Sequence, residues 1–142
     1  MLRDLTLNHL SLVISQAMAP AFLLGALASF ISVLVTHMSR IIDRVRVIKA
    51  ASADSATGTE LTASLPDLRL RAVFLSRAIS FAVASGISTC LLLIAGFASP
   101  YIGVRHEPGV AILFIISLCL FTASLISFAR EVRIAWKQPE WN

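Results

Sequence analysis

Apolar residues gather in three long blocks, from Pro20 to Met38, from Ile79 to Ser99 and from Val110 to Ala129, and none of the three contains Asp, Glu, Lys or Arg. Crossing about 30 Å of hydrocarbon takes about 20 helical residues, so each block is long enough to span a bilayer. A β-barrel would instead show shorter alternating segments separated by turns. The pattern therefore predicts an all-α membrane protein with three transmembrane helices, over 20–38, 79–99 and 110–129.

The polar positions between the blocks predict further helix. Ahead of the first block, Leu7, Leu10, Ile14 and Met18 recur at helical spacing, as in an amphipathic helix lying in the outer interface over 1–19. Ala17-Met18-Ala19 resembles a signal-peptidase site. Pro20 just after it, the cancelling charges of Arg3 and Asp4, and the interruptions at Ser11, Ser15 and Gln16 argue against cleavage. Pro20 is expected in the first turn of the first span, where proline is tolerated. Past Met38, Ile41, Val45 and Ile48 keep the helical period and no Gly or Pro appears before Gly58. A helix from Pro20 to about Ala50 would be roughly 46 Å long. Leu61, Leu65, Leu68, Ala72, Leu75 and Ile79 form a matching stripe, so residues 39–78 are expected to fold as a cytoplasmic helical hairpin, a short antiparallel coiled coil. Ser64 is the expected N-cap of its second arm, with Pro66 in the first turn, and the small residues from Ala51 to Thr59 read as a loop. The chain thus divides into 1–19 and a single domain over 20–142.

Composition and charge refine this picture. With 142 residues, 57% of them hydrophobic and only 14% charged, and with a mean hydropathy of +0.83, the chain is too apolar for a soluble domain. A net charge of +4 does not point to nucleic acid, because the cations sit beside the apolar blocks rather than on a separate basic face. Ten Lys and Arg fall after the first and third blocks (Arg40, Arg44, Arg46, Lys49, Arg69, Arg71, Arg77, Arg130, Arg133 and Lys137), against Arg3 and Arg105 on the other side. Cations are retained on the cytoplasmic side, so the amino terminus and the loop from Pro100 to Gly109 are expected outside and the carboxyl terminus in the cytoplasm.

Pro20-Ala21-Phe22-Leu23-Leu24, Arg40-Ile41-Ile42-Asp43-Arg44-Val45-Arg46, Arg77-Ala78-Ile79 and Phe128-Ala129-Arg130-Glu131-Val132 occur in that order. Together they resemble the small bacterial membrane proteins grouped as DUF2721, over nearly the whole chain. The resemblance implies three helices in a bacterial inner membrane and supplies no reaction, ligand or catalytic set.

Two constellations are candidates for function. Arg40, Asp43, Arg44, Arg46, Arg77, Glu131 and Arg133 all fall near the inner ends of the blocks, where Asp43 can reach Arg40 or Arg46 along its own helix and Glu131 is a natural partner for Arg77 or Arg40. Such a ring fixes helix register through ion pairs and snorkelling arginines, or it binds an anionic lipid head group or phosphate, or it forms a charged pore mouth. The second constellation is a set of small and hydroxyl-bearing stripes. It comprises Gly25, Ser29, Ser32 and Thr36 on span one, Ser76, Ser80, Ala84 and Ser88 with Ser85 and Thr89 on span two, and Ser117, Ser124 and Glu131 on span three. Stripes of this kind are helix contact faces, or they line a water-filled path in a homo-oligomer.

Other chemistry is weakly signalled. Cys90 and Cys119 lie in apolar runs without metal or disulfide spacing and read as buried, unreactive thiols. His9, His106 and Glu107 are too loosely spaced for a metal site, and no cofactor is implied. No nucleophile–base pair, phosphate loop or redox dithiol is present, so an enzyme is not expected. The spans are read as holding no carboxylate, His or Lys, which argues against a proton relay or a tightly coupled ion pump. Two readings stay open. One is a non-enzymatic, self-associating module contacting lipid bilayer, anionic lipids and a cytoplasmic protein partner; the other is a homo-oligomeric ion channel or passive conduit.

Overall fold

The computed structural model describes residues 2–52, 64–102 and 107–136, and its regular structure is wholly α-helical. Helix α1 spans Leu2–Ser52, α2 spans Leu65–Ile102 and α3 spans Glu107–Trp136. Each contains a stretch long and apolar enough to cross a membrane, at Ala17–Ala51, Leu65–Ala98 and Pro108–Trp136. Only 17%, 28% and 11% of the residues in their most apolar windows are buried. Most of that apolar surface therefore points outward, the reverse of a water-soluble core and the arrangement that lipid accommodates.

The helices overrun the apolar blocks at almost every end. Helix α1 does not begin at Pro20, as the proline suggested, but runs unbroken through it from Leu2. In apolar surroundings a helix is the way to satisfy backbone groups, so losing one N–H at a proline does not end it. The start of α2 does match expectation. Ser64 precedes it, its carbonyl accepts the Leu68 N–H at 3.3 Å, and Pro66 lies in the first turn. The connection between α2 and α3 is shorter than the anticipated Pro100–Gly109 loop, because α2 continues to Ile102 and α3 starts at Glu107 with Pro108 in its first turn. Leu61, Gly58 and most of the expected hairpin loop lie outside the described residues.

Burial repeats every seven residues. On α1 the buried positions are Pro20, Leu27, Leu34, Ile41 and Ile48. On α2 one row is Leu68, Leu75, Ala82 and Thr89 and a second is Ala78, Ser85 and Leu92; on α3 the row is Ser117, Ser124 and Glu131. A period of seven belongs to helices lying side by side at shallow crossing angles. Helix α2 is central and packs on both neighbours, whereas α1 and α3 meet at few positions. Leu27, Leu34, Ile41 and Ile48 share one core cluster with Leu68, Leu75, Ala78 and Ala82. Between α1 and α3, Phe30 meets Phe121 and Phe128 edge-on, with ring centroids 5.7 and 5.8 Å apart.

Candidate functional site

The seam between α2 and α3 combines small apolar side chains, Ala78 and Ala82, with the buried hydroxyls of Ser85, Thr89, Ser117 and Ser124. Ser85 and Ser117 exchange bonds: the Ser85 hydroxyl donates to the Ser117 carbonyl at 2.8 Å, and the Ser117 hydroxyl donates to the Ser85 carbonyl at 2.9 Å. The Thr89 hydroxyl contacts the Ser117 oxygen and also lies 2.9 Å from the Ser85 carbonyl. Three hydroxyl protons thus meet three acceptors inside a seam where all three residues are fully buried. One heptad further along α3, the Ser124 hydroxyl donates to the Ala78 carbonyl. A hydroxyl reaches a carbonyl on another helix only when the backbones approach closely, which Ala78, Ala82 and Ser85 on α2 permit.

One more heptad brings Glu131 to Arg71. Arg71 donates from Nε and Nη2 to Oε1 of Glu131, both at 2.9 Å. Glu131 is 1% exposed and the Arg71 side chain 20% exposed. Each step of seven along α2 is thus matched by one in the opposite direction on α3, which pairs Ser85 with Ser117, Ala78 with Ser124 and Arg71 with Glu131 in layers about 10 Å apart. That register corrects the expectation that Glu131 would pair with Arg77 or Arg40. Depth measured from the ends of the apolar blocks placed Arg77 nearest, but the side of α2 that faces α3 carries Arg71.

The rest of the expected charged ring does not close on Glu131. Arg40, Asp43, Arg44, Arg46, Arg77 and Arg133 are all exposed, and among the described residues Asp43 forms no ion pair with Arg40 or Arg46. The small-residue stripes divide in the same way. On α2, Ser80 is exposed and bonds the Ser76 carbonyl, and Ser88 bonds the Ala84 carbonyl, so the contact face is Ala78, Ala82, Ser85 and Thr89 rather than the Ser76–Ser88 stripe. On α1, Gly25, Ser29, Ser32 and Thr36 are exposed and lie on the side opposite Leu27 and Leu34. Ser29, Thr36 and Ser39 turn their hydroxyls back to the carbonyls of Gly25, Ser32 and Val35. Among the described residues nothing packs on this face, which carries a groove lined by Met18, Ala21, Phe22, Gly25, Ala26 and Ser29.

Three further residues complete the site. Cys90 and Cys119 are free and exposed, not buried as expected. Cys90 directly follows Thr89 and Cys119 lies two residues past Ser117, but both are off the seam. His37 lies inside the first apolar block and corrects the reading of the spans as free of histidine; it is half-buried, with its ring edge-on to Phe128 at 5.5 Å. The side chains of His9, His106 and Glu107 lie outside the described ones. Among known proteins, the family model described as "Protein of unknown function (DUF2721)" matches residues 17–140. No curated protein and no solved structure matches the chain.

Proposed function

Because the chain belongs to the DUF2721 family, whose description carries no activity, we propose on physical grounds that it is a non-enzymatic membrane module that self-associates through the outer face of α1. In this reading it is a multi-pass protein of the bacterial inner membrane. Its amino terminus is outside, and the ends of α1 and α2 beyond the apolar blocks stand in the cytoplasm as a helical hairpin. The observation that carries the proposal is the face formed by Gly25, Ser29, Ser32 and Thr36, exposed and opposite the buried row of α1. Glycine inside a helix costs about 1 kcal/mol relative to alanine, yet a Cβ at Gly25 would meet nothing within 4 Å. Among the described residues nothing packs on Gly25, as is also true of Gly86 and Gly96, but Gly25 alone lies on the hydroxyl-bearing face of α1, where a helix of a second copy could approach closely. In lipid, close packing of such faces is a main source of helix association. The seam hydroxyls bond to one another, which leaves none of them presented for chemistry.

The test is the oligomeric state of purified protein in detergent and in liposomes, by sedimentation and cross-linking. Wild type is expected to form a defined oligomer, and Ser32→Leu or Gly25→Leu to shift it to monomer. A wild type that is monomeric at every concentration would overturn the proposal. The hydroxyls of the same face also suit a conduit, and that reading requires four or more copies, ion flux in liposomes and modification of Ser32→Cys by a water-soluble thiol reagent.

A further inference from the structure

Charge at the inner end of the bundle is sorted by sign. Glu131 turns inward and is held by Arg71, while Arg130 beside it turns outward and is exposed. The acid that could have neutralised the surface is thus withdrawn from it. Each helix presents one exposed arginine where its apolar block ends: Arg40 on α1, Arg77 on α2 and Arg130 on α3. Arg46, Arg69 and Arg133 add to this surface, and the exposed carboxylates there, among the described residues, are Asp43 and Asp67.

Apolar side chains lie exposed between these cations, beyond the blocks themselves: Ile42, Val47, Leu70 and Val73. On α2, Leu70, Val73, Arg77, Ser80, Ile87 and Leu91 follow one another at helical spacing on the side away from Leu68, Leu75 and Ala82. Arg77 therefore interrupts a row that is otherwise suited to acyl chains. Water would cover the guanidinium and leave the aliphatic neighbours bare. The head-group zone of a leaflet suits this boundary, with phosphate against the arginine and acyl carbons below it against Ile87 and Leu91 on the side of the apolar block.

We infer that Arg40, Arg77 and Arg130 form a girdle that binds the phosphates of anionic phospholipids in the inner leaflet. The inference rests on the reading of the chain as a membrane module but not on its self-association. Trp136, exposed at the end of α3, provides a native reporter once Trp141, the other tryptophan of the sequence, is replaced by phenylalanine. Full-length protein is reconstituted in phosphatidylcholine vesicles doped with brominated phosphatidylglycerol or, in parallel, brominated phosphatidylcholine, and tryptophan quenching is titrated. The anionic brominated phosphatidylglycerol is expected to quench at lower mole fraction. The preference should fall about fivefold for each arginine removed in the series Arg40→Gln, Arg77→Gln and Arg130→Gln, and stay unchanged in Arg3→Gln at the other end. Equal quenching of wild type by the two lipids would overturn the inference without recourse to any variant. So would a triple variant that inserts and keeps the preference, or a preference abolished by millimolar inorganic phosphate, which would assign the girdle to a soluble anion. Protein that never joins the vesicles fails both this inference and the membrane reading, whereas vesicle-bound protein without lipid preference fails this inference alone.

Discussion

Glu131 is tolerable where it is because Arg71 meets it with two N–H groups rather than one, both on Oε1. Taking one partner away leaves the other charge without its counter-ion in a closely packed seam. Glu131→Leu is therefore expected to cost roughly 3 kcal/mol, while the double change Arg71→Met with Glu131→Leu should regain most of that loss. Denaturant unfolding in micelles measures both, and a double variant no more stable than the single one would show that the pair is not the source of the cost. The seven-residue spacing of Ser117, Ser124 and Glu131 was legible in the sequence, but their partners were not. A serine can satisfy its hydroxyl on the carbonyl four residues back, as Ser29, Ser80 and Ser88 do. Residue type alone therefore does not separate them from Ser85 or Ser124, whose hydroxyls reach across to another helix.

At the scale of the helix, the two sides of α2 should respond oppositely to size. Ala78 is fully buried and its carbonyl accepts the Ser124 bond, so Ala78→Leu forces α2 and α3 apart and is expected to cost roughly 1–3 kcal/mol. Leu91 is 52% exposed, and Leu91→Ala should change stability by less than about 0.5 kcal/mol. Thermal unfolding in one detergent compares them, and a similar loss for both would contradict the assigned faces. Hydropathy located the three crossings well, but not where the helices start and stop. Continuation through Pro20 and beyond Ala129 depends on backbone hydrogen bonding and neighbouring contacts, to which an apolar count is blind. Past Met38 the stripe showed Ile41 and Ile48, but Pro20, Leu27 and Leu34 of the same buried row were hidden: within an apolar block nearly every position is a candidate, so no contrast marks the face that packs.

Across the whole molecule, length is the dominant quantity. Helix α1 has 51 residues, or about 75 Å at 1.5 Å per residue, more than twice the hydrocarbon thickness. The proposed orientation fixes which end stands in which compartment. A charged maleimide added to intact cells should label Gly109→Cys, and should label Ala50→Cys only after permeabilisation, in a background where Cys90 and Cys119 are replaced by serine. The opposite pattern would invert the topology. Glu131 follows Arg71 by 60 residues, so at about 5–20 residues per second the ribosome delivers it roughly 3 to 12 s later. During that interval the Arg71 guanidinium has no Glu131 to turn to, and Asp67, one turn earlier on the same helix, is the nearest carboxylate already made. Closing the last layer of the seam therefore waits on synthesis of α3, and its clock is translation rather than diffusion.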